Sequence, residues 1–130
     1  MRLLFAAFAF SFSCFSIGQN FPSKPITMVV GFEPGGGTDT VSRTIQPALQ
    51  LRLGQQIIID NRGSAQGITG TGIAATAVPD GYTLVIAEIG ATALAPVLTP
   101  NVSFDVVKDF APITKLIEQP YILSVHPTCL

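Results

Sequence analysis

Two rhythms of apolar and polar positions alternate along the chain. Ile26, Thr27, Met28, Val29 and Val30 form a near-continuous apolar run, which predicts a strand covered on both faces, as in a parallel sheet. A glycine-rich turn follows. Val41, Ile45, Leu49 and Leu53 then recur every four positions and predict a helix over residues 38–53, stopped by Gly54. Thr38 reads as its cap and Asp39 as a first-turn acid suited to the helix dipole. Pro47 removes one hydrogen bond and predicts a kink. Residues 56–59 predict a second strand, closed by Asp60 and Asn61, before a small-residue loop over 62–67. Residues 68–78 predict a helix rich in alanine, glycine and threonine. Gly70 and Gly72 weaken it by about 1 kcal/mol each relative to alanine, so both point to a close approach, either to the sheet or to a ligand. Pro79, Asp80 and Gly81 mark a turn. A third strand is expected over 82–87, then Glu88, Gly90 and a short helix over 91–98. Further on, the pattern predicts a mixed turn or short helix at 104–110, a strand start at 112–116 and a strand at 121–125.

The order strand, helix, strand, helix, strand, helix implies right-handed βαβ units and a parallel sheet. Three loops, residues 32–38, 61–67 and 88–92, then fall on the carboxyl edge of that sheet, where open α/β folds bind ligands.

The first of these loops carries the most chemistry. Three successive glycines, Gly35, Gly36 and Gly37, precede Thr38 and Asp39. Their backbone N–H groups and the dipole of the following helix make a seat for an anion. A carboxylate fits, since it needs several short donors and no catalytic group. Asp39 repels an anion if it points inward. It reads instead as a cap, a loop brace, or an acceptor for an ammonium or hydroxyl on the ligand. Against the whole reading stands a tight strand-to-helix turn with no ligand. Gly67 and Ile68 offer donors at the second helix start, and Gly90, Ala91 and Thr92 complete a wall. Phe32 is either an apolar platform or core. Arg62 is either an anion clamp or a surface partner of Asp60. Tyr82 reads as core with a satisfied hydroxyl.

Other chemistries find less. Consecutive glycines are not the G-x-G-x-x-G dinucleotide fingerprint, although Asp60 after the second strand keeps a nucleotide-binding enzyme domain as an alternative. No lysine and serine follow Gly37 as a P-loop requires. There is no G-x-S-x-G elbow, and His126 is the only histidine, so neither a triad nor a metal cluster is expected. Asp39 and Glu88 form a possible carboxylate pair that the spacing does not demand. No cofactor is expected.

Composition narrows the setting. The 130 residues suit one compact domain. A formal net charge of −1 gives no reason to expect nucleic acid as a partner. Arg2, then an apolar run over residues 3–12 and the small Ser16 and Gly18, read as a secretory leader cleaved before Gln19. The run is shorter than the about 20 residues of a membrane-spanning helix. Cys14 suggests a lipoprotein signal, but Ser11 matches that signal poorly. Cys14 and Cys129 do not make a disulfide framework.

In order along the chain stand Phe-Pro-Ser-Lys-Pro-Ile at 21–26, Pro-Gly-Gly-Gly-Thr-Asp at 34–39, Leu-Gly-Gln at 53–55, Asn61-Arg62, Pro-Asp-Gly-Tyr-Thr-Leu at 79–84 and Lys-Asp-Phe-Ala-Pro-Ile at 108–113. Together these resemble the Bug, or TctC-like, periplasmic solute-binding proteins of tripartite tricarboxylate transporters. The resemblance implies an α/β fold, one type II periplasmic-binding-protein-like lobe with a mainly parallel sheet flanked by helices. It implies a two-lobed receptor that captures a small carboxylate or amino-acid solute in the periplasm. Loop amides hold the carboxylate, partly through ordered water, and membrane components of the transporter receive the solute. Carried onto this chain, the contacts are Phe32, Gly35, Gly36, Gly37, Thr38 and Asp39, with Ala65, Gln66, Gly67, Ile68 and Thr69 in the second loop. Gly90 and Thr92, read from the third loop without the resemblance, are added to these as candidate contacts. The second loop departs from the family, with Gly63, Gln66, Gly67 and Ile68 where a proline and a Gly-Gly-Asn stretch are usual. Pro47 is also unusual. The expected organisation is a leader over 1–18, an N-terminal lobe over 19–125 and a crossover over 126–130 toward a second lobe missing from this chain. A nonfunctional fragment of such a receptor is the accompanying alternative.

Overall fold

The structure, a computed structural model, describes residues 21–120 and 122–126. The expected leader, Cys14, Cys129 and Tyr121 lie outside the described residues.

Three parallel strands form one sheet in the order β2-β1-β3. They are β1 (Ile26–Val30), β2 (Ile57–Asn61) and β3 (Thr83–Ile86). The central β1 pairs Ile26 with Ile57 and Val30 with Asn61 on one side, and Thr27 with Thr83 and Val30 with Ile86 on the other. Its apolar run is explained by that position. Met28, Val29 and Val30 are all buried, because helices cover both faces. On one face α1 (Gly37–Leu53) sets Ile45, Leu49 and Leu53 against Ile26, Met28 and Ile57, with Tyr82, Leu84 and Ile86 beside them. Burial of a side chain such as Met28 or Ile57 contributes about 1.5–3 kcal/mol. α2 (Ile68–Ala75) packs on β1 and β3.

The four-residue stripe therefore does what its period implies. α1 runs through the exposed Pro47 as a single element and ends at Gly54, which is left-handed (φ 65°) and donates its N–H to the Gln50 carbonyl at 2.9 Å. Gln46 and Gln50 also serve the outer edge of β2. Gln46 Nε2 donates to the Ile57 carbonyl at 2.6 Å, and the Ile57 N–H donates to Gln50 Oε1 at 3.0 Å. These bonds satisfy backbone groups that a lateral strand would otherwise leave bare.

Several expectations need correction. Thr38 is not the cap: Gly36 holds that position, and Thr38 is buried inside the first turn. β2 includes Asp60 and Asn61, because both still pair with β1. α2 ends at Ala75, where the Thr76 N–H and hydroxyl both turn back onto the Gly72 carbonyl. The third helical segment is a π-helical turn, Gly90–Leu94, continued by α3 (Ala95–Leu98). No strand forms among the described residues of 111–126, and all of them are exposed. Their apolar side chains, such as Ile122 and Leu123, fit a strand pattern, but no strand of this sheet lies beside them to complete a ladder.

The amino end of the sheet is stapled by two distant segments. The Ser23 N–H donates to the Tyr82 hydroxyl at 2.8 Å, and Lys24 pairs with Asp80 at 3.1 Å while its ammonium lies 4.2 Å from the Tyr82 ring centre. The Phe21 ring meets Tyr82 edge-on at 5.0 Å. Tyr82 thus has the satisfied hydroxyl expected of it.

Candidate functional site

At the opposite, carboxyl end, β1, β2 and β3 release three loops that converge. The convergence depends on absent side chains. A Cβ on Gly31 would stand 2.8 Å from Gly67 Cα, and one on Gly70 would stand 2.7 Å from Gly31 Cα. Gly67 is left-handed (φ 80°), and a Cβ there would meet the Phe32 ring at 2.9 Å and the Ala91 methyl at 3.6 Å. Gly90 approaches the Gln66 carbonyl, 3.4 Å from where its Cβ would be. Phe32, Gly67 and Ala91 therefore form one contact point of all three loops. The close approach expected at Gly70 is to Gly31, the residue just past the carboxyl end of β1. At Gly72 it is to Ser103 and Phe104.

In the first loop the peptide hydrogens divide into two groups. Gly35, left-handed at φ 86°, donates its N–H to Asp39 Oδ2 at 2.8 Å, and Gly36 donates to the Glu33 carbonyl at 3.3 Å. Among the described residues, the N–H groups of Gly37, Thr38 and Asp39 meet no acceptor. They are the open first turn of α1, at the positive end of its dipole. The donor set expected at Gly35 to Thr38 is thus displaced toward the helix.

Asp39 is the brace of this loop. It is 2% exposed, and its carboxylate accepts from the Gly35 N–H, from Arg43 Nε at 2.8 Å and from Asn61 Nδ2 at 3.0 Å. The Arg43 bond, then those from Gly35 and Asn61, hold its carboxyl far below the usual aspartate range. Arg43 offsets the charge that would otherwise repel an anion at the neighbouring amides. Asn61 Nδ2 also donates to the Phe32 carbonyl at 3.1 Å. No bond joins Asp39 to Glu88. A depression lies along the flank of α1, lined by Pro34, Gly35, Asp39, Thr40, Arg43 and Thr44.

The second loop passes through a short 3-10 turn, Ala65–Gly67, with Gln66 exposed at φ 56°. Gly67 caps α2, and the Thr69 N–H is taken by Ser64 Oγ at 3.1 Å. Ile68 is half-buried. In the third loop Thr92 is engaged, its N–H and hydroxyl both donating to the Glu88 carbonyl, at 3.0 and 2.7 Å. The Gly90 and Ala91 N–H groups meet no acceptor there. Arg62 pairs with Asp60 at 2.9 Å, the surface-partner reading of the two left open. Asn61, Arg43 and Ser64 were not singled out by sequence reasoning. The Asp39–Arg43 spacing of four on a helix was the available clue.

Comparison with known proteins bears on this arrangement. Residues 41–129 match the family described as "Tripartite tricarboxylate transporter family receptor". The chain belongs to that receptor family. A curated family member, Protein BugT of Bordetella pertussis, is 36% identical over 110 residues, which are 84% of this chain and 34% of BugT. MatC from Rhodopseudomonas palustris, solved with bound malate, superposes with a TM-score of 0.70 at 40% identity, over 74% of this chain and 33% of MatC. The periplasmic binding protein BugD superposes with a TM-score of 0.68 at 36% identity, over 72% and 31% of the two chains. This chain spans about a third of the length of the curated receptors it matches. Its sheet and helices are those of one lobe of the type II periplasmic-binding-protein fold. Membership in a family of transport receptors sets aside the nucleotide-binding enzyme alternative. Asp60, on which that alternative rested, has its carboxylate on Arg62.

Proposed function

We propose that this chain supplies the N-terminal wall of a periplasmic receptor that captures a small carboxylated solute, without chemistry, for the membrane components of a tripartite tricarboxylate transporter. The observation that carries the reading is the row of amides at Gly37, Thr38 and Asp39, with no internal acceptor among the described residues, at the carboxyl edge of a parallel sheet. A carboxylate oxygen accepts from such a row directly or through water. Gly35 and Gly36 shape the turn, and Asp39 braces it. Phe32 packed on Gly67 forms the apolar floor. Gly90 offers a further amide, while Gln66, Ile68, Thr69 and Thr92 frame the rim. Malate in MatC is a solute of the expected chemistry. The organisation expected from sequence, a leader over 1–18 and a lobe over 19–125, suits this role.

The test is a proton–nitrogen correlation spectrum of the chain titrated with malate. Saturable shifts centred on Gly37, Thr38 and Asp39 are expected. A folded chain whose amides do not move with any carboxylate, or move only far from that turn, overturns the reading.

A further inference from the structure

The outer face of α1 is not that of an ordinary solvated helix. Arg43, Pro47 and Leu51 stand four residues apart and form one ridge along it. All three are exposed, Leu51 to 86%. A solvated helix face usually carries charged and polar side chains. This ridge holds a proline and a leucine instead. The sole acid of α1, Asp39, is buried. Packing on the sheet does not call for Pro47, because Ile45, Leu49 and Leu53 make that contact. Pro47 also gives no N–H to the Arg43 carbonyl, its partner in the helical ladder, at a cost to the helix.

Arg43 is held in one orientation. Its Nε donates to Asp39 Oδ2 at 2.8 Å, and its Nη2 donates to Asn61 Oδ1 at 3.4 Å. Those bonds use the side edge of the guanidinium. The remaining N–H groups, at its outer end, meet no acceptor among the described residues. Arg43 lines the depression shared with Pro34, Gly35, Thr40 and Thr44. There the hydroxyl protons of Thr40 and Thr44 are spent on the Gly36 and Thr40 carbonyls, at 3.0 and 2.7 Å. The side-chain donors left for an occupant are those of Arg43. Two parallel N–H bonds from the end of an arginine fork match a carboxylate.

We propose that this ridge docks an acidic segment of a partner protein, with a carboxylate side chain end-on against Arg43 and an apolar side chain across Pro47 and Leu51. Charge selects the partner, since the ridge offers a cation and no accessible acid. The apolar part selects a protein over a free anion, since an exposed ion pair alone contributes little. A membrane surface fits less well, because helices that lie on lipid carry many basic residues beside large apolar ones. The surface lies on the flank of α1, so the proposal goes beyond the receptor reading and stands or falls without any solute.

The probe is the blocked peptide acetyl-Glu-Ala-Leu-Glu-Ala-Leu-amide, titrated into the nitrogen-15-labelled chain beside a control with Gln for each Glu. Saturable shifts are expected at the Arg43 Nε–H and at the amides of residues 43–51. The Glu peptide should bind about threefold or more tighter than the control. Leu51→Ser removes an exposed side chain, so it should leave the melting midpoint alone and weaken the Glu peptide. Arg43→Lys keeps a cation beside Asp39 but loses the fork, and should abolish the preference for Glu over Gln. Equal binding of the two peptides, shifts away from α1, no saturable shift, or indifference to Leu51→Ser overturns the proposal. So does acetate that reproduces the shifts at matched carboxylate concentration, which reduces the ridge to an anion site. Phosphatidylglycerol vesicles moving these signals where the peptide does not would assign the ridge to a membrane. Movement with chain concentration alone would assign it to a second copy.

Discussion

Asn61 Nδ2 lies 3.0 Å from Asp39 Oδ1 and ties the end of β2 to the first turn of α1. The same amide holds the Phe32 carbonyl, so one side chain fixes the sheet edge, the loop and the helix start together. Replacement of Asn61 by alanine leaves the buried Asp39 with one donor fewer and releases the Phe32 carbonyl. Loss of a buried hydrogen-bond partner exposes the other group to its full desolvation cost. Thermal unfolding of Asn61→Ala is expected several degrees below that of the parent chain. An unchanged midpoint would show that the loop is held by other means.

Asp39 also sets an acid limit. Its carboxyl is held well below the ordinary range in the folded chain, first by Arg43, whereas an unfolded aspartate titrates near about 3.9. The unfolded chain therefore binds the proton first as pH falls. The stability from Asp39 is complete above about pH 4–5 and is lost progressively below it. Melting curves at neutral pH and at about pH 3 should show the gap between the parent and Asp39→Asn narrowing in acid. A gap that is constant over that range contradicts the brace.

The two glycines of α2 are predicted to respond in opposite ways. Alanine is favoured over glycine inside a helix by about 1 kcal/mol. At Gly70 the new methyl collides with the Gly31 backbone at 2.7 Å, which cannot turn aside. Overpacking of this kind costs about 1–3 kcal/mol, so Gly70→Ala should destabilise despite the propensity gain. At Gly72 the nearest atom is Ser103 Oγ at 3.2 Å, the end of a rotatable side chain. Gly72→Ala should be neutral or stabilising. Urea unfolding of the two variants separates close approach to Gly31 from a mere tolerance of glycine.

Much of this was legible from the residues. The limits of β1 follow from an apolar run between Pro25 and Gly31, and the α1 stripe from its period of four. The three edge loops follow from the βαβ order. What was not legible depends on partners far along the chain. Which amides of the glycine loop stay open is decided by Asp39 reaching back to Gly35 and by the Glu33 carbonyl taking Gly36. Asn61 reads as a strand end until its side chain is seen to span to residues 32 and 39. Residues 122–125 have the apolar character of a strand, but a strand exists only where a neighbour supplies the other half of each hydrogen bond.

The seat itself can be probed without disturbing the fold. Gly37 is the first residue of α1, its φ is not in the left-handed region, and a Cβ there meets nothing within 4 Å. Gly36 before it is extended, at φ −73° and ψ 173°, the conformation that a following proline demands. Proline is favoured at the first helical position, where the missing N–H has no helical acceptor in any case. Gly37→Pro should therefore keep or raise stability by up to about 1 kcal/mol through the unfolded state. It also deletes one donor that the proposed site needs. Affinity for the carboxylated solute is expected to fall about tenfold or more, the loss of a hydrogen bond to a charged group. Calorimetric titration beside a melting curve reads both effects on one sample. Retained affinity in a stable Gly37→Pro chain would move the carboxylate off the α1 amides, because in that variant nothing but the donor has been taken away.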